Sequence, residues 1–507
     1  MGELIKEQLY ARNIYLIGTA EMGPVNVPIL AKSVEHVRSI FGNSGTLFDA
    51  YAMIDDSDIQ CNVHLIKTAG RHSELYLNVL KDNGEIIENG FYIKSKHANE
   101  ISNDIEIYLD DNVLTFKYPV KLGGNTLSYS LSNYNTLHEL ANAINSDTRL
   151  LKGEVWCSAF CEPHISCKFS LAPVNATDLK LTGGDNGIYY NKNMMYNCMT
   201  TTYSILEGAP TDIIVPLDSY YDDTLTDDKE LLENYNFEKD YVTLKSNGQY
   251  LSFYKQLLDF CKLQMQSSII THGVMGMNPL AIPDIDEAFM FKRLDTFNKA
   301  NELSMEDRNY SHMISVTASE VYGLYGTLVV NSYIAYAVLV ASTKISETST
   351  NKRLPSSFIL FNIHEQYVLK QISEMGYVCF RNSPLTRNIH VVNGVTKSGH
   401  KDLKFLCNVR MIQVVMKNLR ISLSKFIGQN VDDLIKSGEI NKEMTRLMND
   451  LNENNFVKDF SALNVMKKDE GHLLVDLTFA TKYMVENIKS FSGLCATGDI
   501  INGLQGQ

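Results

Sequence analysis

Proline and glycine are sparse in this chain, 11 and 30 of 507 residues. That is too few for long disordered tracts, so order is expected nearly throughout. Cysteine numbers only nine, odd and scattered, which fits reduced thiols in a cytoplasmically assembled protein better than a disulfide framework. Basic residues are outnumbered, 46 against 59 acidic for a net charge of −13. A deficit of that kind argues against nucleic acid as the principal partner, because binding phosphates requires a basic face. The first residues, MGELIKEQLYARN, are charged and contain no apolar signal-like run, and Met1-Gly2 lacks the Ser/Thr of a myristoylation motif. No leader or lipid anchor is expected. One long uncharged stretch, 321–342, is divided by Gly323, Gly326, Thr327, Asn331 and Ser332. It is read as a strand at 327–330, a Ser332 cap and a small-residue helix to Ala341, not as a membrane span.

Catalytic signatures are also missing. There is no Gly-x-Ser-x-Gly elbow, His138-Glu139 has no second histidine at zincin spacing, and the twelve histidines are dispersed. The nearest approach to a P-loop, Gly394-Val-Thr-Lys-Ser-Gly399, continues His400-Lys401 and so lacks the Lys-Ser/Thr pair. Cys157, Cys161, His164 and Cys167 suggest zinc, but 155–161 alternates like a strand, on which cysteines four apart lie about 13 Å from each other. Buried thiols account for them better. Nine carboxylates crowd 218–240, yet no Asp-x-Asp-x-Asp-Gly loop occurs, so a solvated acidic insertion facing outward is expected instead of a calcium site.

What is present begins with Ile14-Tyr-Leu-Ile17, a continuous apolar run stopped by Gly18, as in a strand covered on both faces. Ser33 is placed to cap a helix whose Val34, Val37, Ile40 and Phe41 share one face, with Gly42 as its stop. After Gly70 the pattern turns to period two, as at 105–109 and 113–118, interrupted by a helix with a Thr136/Glu139 capping box and a Leu137/Leu140/Ala141/Ile144 stripe. From Leu181-Thr-Gly-Gly-Asp-Asn-Gly187 onward strands and helices alternate: strands at 211–217, 268–274 and 312–317, helices near 250–266 and 285–303. Helix 363–375, strands 377–381 and 388–395, a long helix at 402–426, shorter helices at 431–436 and 443–452, and paired strands at 462–466 and 473–480 complete the chain.

Four of these stretches together resemble the contractile-tail sheath family. They are Gly18-Thr-Ala-Glu21 with Gly23-Pro24, Asn26, Pro28, Leu30 and Phe41-Gly42; the double glycine at 183–184; the polar loop at 344–360, where the usual Trp-Lys-Ala-Pro reads Lys352-Arg-Leu-Pro355; and the helix-then-strand ending with Gly471 and Glu486-Asn-Ile. The resemblance implies a mixed α/β (α+β) multidomain fold, with about two to four domains fitting the length. It divides the chain into an N-terminal arm at 1–12, a core opening at 13–70, a β-rich inserted domain at 71–180, the rest of the core at 181–360 with an acidic insertion at 218–248, a polymerising domain at 361–493 and a tail at 494–507. The arm is shorter than the family's usual one. By the same resemblance the chain is not an enzyme and needs no cofactor or metal. It polymerises with itself as stacked rings on a tail tube, meets baseplate and tail terminator proteins, and contracts to drive the tube through a host envelope, as part of a phage virion tail assembled in the host cytoplasm.

Two surfaces are expected to carry this. Val485, Glu486, Asn487, Ile488, Lys489, Ser490 and Phe491 form a strand for pairing with a neighbouring subunit. On the long helix, Phe405, Ile412, Val415, Met416, Leu419, Leu423 and Phe426 share one face and Arg410, Lys417, Arg420 and Lys425 the other, so a basic stripe points outward toward the tube. The alternative is a nucleotide- or ligand-binding α/β enzyme whose glycine loops at 18–23 and 183–187 hold phosphates.

Overall fold

The computed structural model describes residues 13–481, apart from 56–60, 81–83, 111, 148–156, 162–169, 172–178, 220–242, 247–248, 268, 278–284, 319–320, 324–328, 331, 355–357, 361–363, 384–387, 462–463 and 470–471. Its centre is a seven-stranded sheet in the spatial order Ile29–Leu30, Asn62–Lys67, Asn13–Gly18, Ile213–Pro216, His272–Gly276, Ile314–Thr317, Tyr377–Val378. All neighbours run parallel except the outermost Ile29–Leu30. Alternate residues of Asn13–Gly18 feed two separate cores, Ile14 and Leu16 on one face, Tyr15 and Ile17 on the other. Helices Val34–Phe41, Thr46–Asp55 and Ser332–Ser342 cover the first face, and Lys192–Leu206, Phe253–Gln266, Glu287–Ala300 and Gln366–Glu374 the second. Sheathing on both faces is why the strands read as unbroken apolar runs.

Local signals govern the helix ends. Ser33 Oγ accepts the His36 N–H at 3.1 Å and Gly42 closes the helix at φ 85°. Thr136 Oγ1 accepts from Glu139 N–H at 3.1 Å, while Glu139 Oε2 accepts from Asn135 N–H at 2.7 Å, one residue outside the usual box partner. Ser332 differs from expectation. It is the first helical residue, and its hydroxyl donates to Thr317 Oγ1 at 2.7 Å. That helix is buried from Ser332 to Ala341 because it packs on the central strands and on helix Thr46–Asp55 and shares a core with Val391, Val395 and Leu406. No helix among the described residues is long and apolar enough to cross a membrane.

Between the core strands sits the β-rich segment. Glu74–Leu80, Ile86–Ser95, Cys157–Cys161 and Ser170–Leu171 make one four-stranded antiparallel sheet, and Glu106–Asp110, Val113–Lys117, Thr126–Ser130 and Leu179–Lys180 another. Phe91, Ile93, Ile107, Leu114 and Phe116 pack with Leu137, Leu140 and Ile144 of helix Leu137–Asn145 as a shared core. Cys157 and Cys161 pair with opposite ends of one strand segment, Ser95 and Phe91, whereas His164 and Cys167 lie outside the described residues.

At the C-terminal side, the expected strand 377–381 is two pieces. Tyr377–Val378 joins the central sheet and Phe380–Asn382 pairs with Ile389–Val391. Helices Leu406–Ser424, Val431–Ser437 and Glu439–Glu453 enclose Met411, Val414, Val415, Leu419, Met444, Leu447, Met448 and Leu451. Strand Val457–Phe460 pairs with Phe479–Thr481, and Asn464–Asp469 with His472–Asp476.

Candidate interaction surfaces and the glycine loops

The loop after Asn13–Gly18 stands at the carboxyl ends of parallel strands, where open α/β sheets bind ligands. Here a side chain of the protein itself fills the position. Thr19 N–H donates to Asp218 Oδ2 at 3.0 Å and to Thr46 Oγ1 at 2.9 Å, and Thr46 Oγ1 donates to the same carboxylate oxygen at 2.8 Å. Asp218 is buried, so the first of the nine carboxylates expected in an outward-facing acidic insertion is a core residue. Residues 220–242 lie outside the described part. The second loop is also occupied from within: Gly184 N–H donates to Asn103 Oδ1 at 2.8 Å and Asn103 Nδ2 donates back to Gly184 O at 3.0 Å. A Cβ on Gly184 would stand 2.1 Å from Ser73 Oγ and 2.4 Å from Asn99 O. The double glycine therefore permits close packing where the chain enters and leaves the β-rich segment, as does the Arg71↔Asp185 bridge beside it. Neither loop offers the open row of N–H donors that the phosphate-binding alternative requires.

The basic stripe of the long helix does not survive folding as expected. Arg410 is only 5% exposed. Its Nη1 donates to Val340 O at 3.1 Å, at the end of helix Ser332–Ser342, and its Nη2 has no partner among the described residues. Burial draws this guanidinium down to about 10, while the Tyr336 hydroxyl and Asp212 carboxylate oppose the shift. The physical reason is that Leu406–Ser424 is covered on two sides: twelve of its residues, including Asn408, Gln413 and Asn418, are buried. A single amphipathic period cannot describe a helix that meets the end of helix Ser332–Ser342 on one side and packs with helix Glu439–Glu453 on another. Met416, placed on the apolar face, is 42% exposed, and Phe405, Ile412 and Phe426 are half-buried.

Of the other basic residues, Lys417 is half-buried, and Arg420, equally so, donates through Nη1 to Met265 O. Lys425 is exposed and pairs with Glu443 at 2.7 Å, with Arg446 on the same carboxylate at 2.9 Å. Hydrogen bonds from Arg446 and Lys425 hold Glu443 below the ordinary range. Val485 to Phe491, the expected intersubunit strand, lies outside the described residues.

Sequence reasoning missed the buried titratable groups. Lys67, with no exposed surface, donates to Ala98 O, and burial lowers its amine to about 7. Lys397 donates to Asn298 Oδ1 at 2.8 Å and Met375 O at 3.2 Å, lies 3.6 Å from the Tyr377 ring centre, and is likewise lowered to about 7 by burial. It borders a cleft of about 720 Å³ with Tyr254, Phe297, Arg308 and His400. His272, bonded through Nε2 to Ser315 Oγ at 3.0 Å, is lowered to about 3, mainly by burial. A polar residue ending or opening a strand carries no sequence signal for this, because only the neighbouring strands bury it.

No family model and no curated protein matches the sequence. The structure, however, is similar to the sheath tail protein from Listeria innocua over 94% of this chain and 97% of that one, with a TM-score of 0.53 at 11% identity. The chain has the tail sheath fold. The sheath tail protein from Desulfitobacterium hafniense is also similar, at a TM-score of 0.49 and 12% identity over 93% of this chain and 97% of that one. The sheath fold here comprises mixed helices and several sheets, as the sequence resemblance implied.

Proposed function

We propose that this chain is a structural subunit of a contractile tail sheath. The observation that carries the reading is the likeness to a sheath tail protein along nearly the whole of both chains, core and peripheral sheets together. The inward-turned glycine loops add support, since they leave the phosphate-binding alternative without its donors. In this reading the subunits stack as rings around a tail tube, between baseplate and terminator proteins, and the filled core moves as a rigid body while strand contacts between subunits persist. Release of a kinetically trapped extended array drives the tube through the host envelope. Residues 485–491 supply the exchanged strand. The tube contact falls on Lys417, Arg420 and Lys425, without Arg410.

Electron microscopy of the purified protein tests this directly, with tubes or stacked rings as the expected result. A discrete monomer at all concentrations, coupled with saturable nucleotide binding, would overturn it.

A further inference from the structure

Among the described residues, 70–189 contribute no side chain to either core of the central sheet, and the β-rich segment keeps a core of its own, to which Met22 is added from outside. What joins the two parts is therefore mainly polar. Lys67, the last residue of strand Asn62–Lys67, donates through Nζ to Ala98 O, and Ala98 N–H donates to Gly23 O at 3.1 Å. Arg71 and Asp185 exchange backbone hydrogen bonds of 2.9 and 3.0 Å where the chain enters and leaves. The junction is a two-stranded neck with a strut beside it.

The strut is crowded with basic groups. His97, next to Ala98 in the chain, is 4% exposed, and its Nδ1 has no hydrogen-bond partner among the described residues. Every group that acts on it is basic: Lys67 from the core, His72 from the entering chain and Lys96 beside it. His72 is half-buried, bonds through Nδ1 to Ser95 O at 2.7 Å, and feels Lys94 and Lys67 against the single carboxylate of Glu74. Asp185 is the carboxylate that acts on Lys67. A proton added to His97 thus enters a buried site that holds an ammonium and offers it no carboxylate, and a buried charge without a partner is expelled, not tolerated.

We propose that this junction is an acid-sensitive hinge: protonation of His97 beside Lys67 parts Ala98 from Lys67 and Gly23, and the β-rich segment swings on its neck while both parts keep their cores. The hinge is a property of the fold and is independent of the sheath reading. Burial, with the neighbouring cations, holds His97 down to about 3 in the closed junction, against an ordinary 6.5. The closed form is favoured above pH 6.5 and loses that advantage as pH falls toward 3. Lys67, held at about 7 by burial against an ordinary 10.5, gives up its share between pH 10.5 and 7, so the response below pH 7 belongs to the imidazoles. Between pH 7.5 and pH 4.5 the His97 shift alone raises the opening constant on the order of 100-fold.

Hydrogen exchange of the full chain at pH 7.5 and pH 4.5, read by mass spectrometry and corrected for the intrinsic pH dependence of exchange, tests the proposal. Protection of peptides over 68–76, 95–99 and 182–187 should fall about 100-fold, while 105–117 inside the β-rich segment holds. His97→Gln should remove most of the loss at the junction and leave strands Asn13–Gly18 and Ile213–Pro216, which report on the central core, as in the parent. No loss at the junction, an equal loss in His97→Gln, or an equal loss at 105–117 would overturn the hinge. Slow exchange at the imidazole carbon of His97, followed in the parent chain itself, supplies a readout that needs no variant. It should show titration well below 6.5, and an ordinary midpoint would refute the proposal.

Discussion

Substitution of Arg410 separates a buried structural guanidinium from a surface contact to the tube. A glutamate at this site would remove the charge-assisted hydrogen bond to Val340 O, worth about 1.5–3 kcal/mol. It would also place a carboxylate at the C-terminal end of helix Ser332–Ser342, whose dipole repels anions, and near Asp212, which already acts on this guanidinium. Uncompensated buried charge costs about 3–5 kcal/mol, which for a cooperative unit of 150–250 residues corresponds to roughly 6–20 °C in melting temperature. Arg410→Met keeps the stem packed and removes the charge, so it should stay within about 1.5 kcal/mol of the parent. Lys417→Glu, at a half-buried position, should cost under about 1 kcal/mol. Differential scanning calorimetry of the three variants, with hydrogen exchange across 406–424, reads these differences. If Arg410→Glu melts with the parent protein yet fails only on tubes, the residue points outward and the packing described here is wrong.

Lowering the pH should weaken the fold through His272. Its folded value of about 3 lies below the ordinary 6.5, so as pH falls from 6.5 toward 3 the unfolded chain binds a proton that the folded one refuses, and stability is lost across that window. His272→Gln should flatten the drop in melting temperature between pH 7 and pH 4, and an unchanged profile would place the loss elsewhere. Gly184→Ala should cost about 1–3 kcal/mol by overpacking against Ser73 and the Asn99 carbonyl; a silent substitution in thermal melts would show that the junction is loose. Deletion of residues 485–507 is expected to leave a folded subunit that forms no tubes, and normal assembly of the truncated chain would dismiss strand exchange through this end. Residues 71–180, expressed alone, should melt cooperatively with a β-rich circular dichroism spectrum, given the shared core of Phe91, Ile107 and Leu140; a helical or unfolded fragment would argue for a different boundary.

Local sequence determined those features whose causes are local. The uninterrupted Ile14 to Ile17 run becomes a strand with a core on each face, and Ser33 and Thr136 cap helices because their hydroxyls reach backbone donors three residues on. Much of the order of strands and helices was legible for the same reason, although helix Lys192–Leu206 and the hairpin of Thr243–Ser246 with Gln249–Ser252 were not read. Tertiary structure alone decided which polar groups are inside. Asp218 reads as one carboxylate among nine, and it is core only because a strand 199 positions away brings Thr19 beneath it. Arg410 reads as a solvent-facing residue opposite an apolar stripe, and it is buried because the end of helix Ser332–Ser342, with Tyr336 and Asp212 close by, lies on the side that periodicity assigns to water. A period of 3.6 residues reports how many faces are apolar, not how many are covered, and coverage depends on elements that meet only in the folded chain.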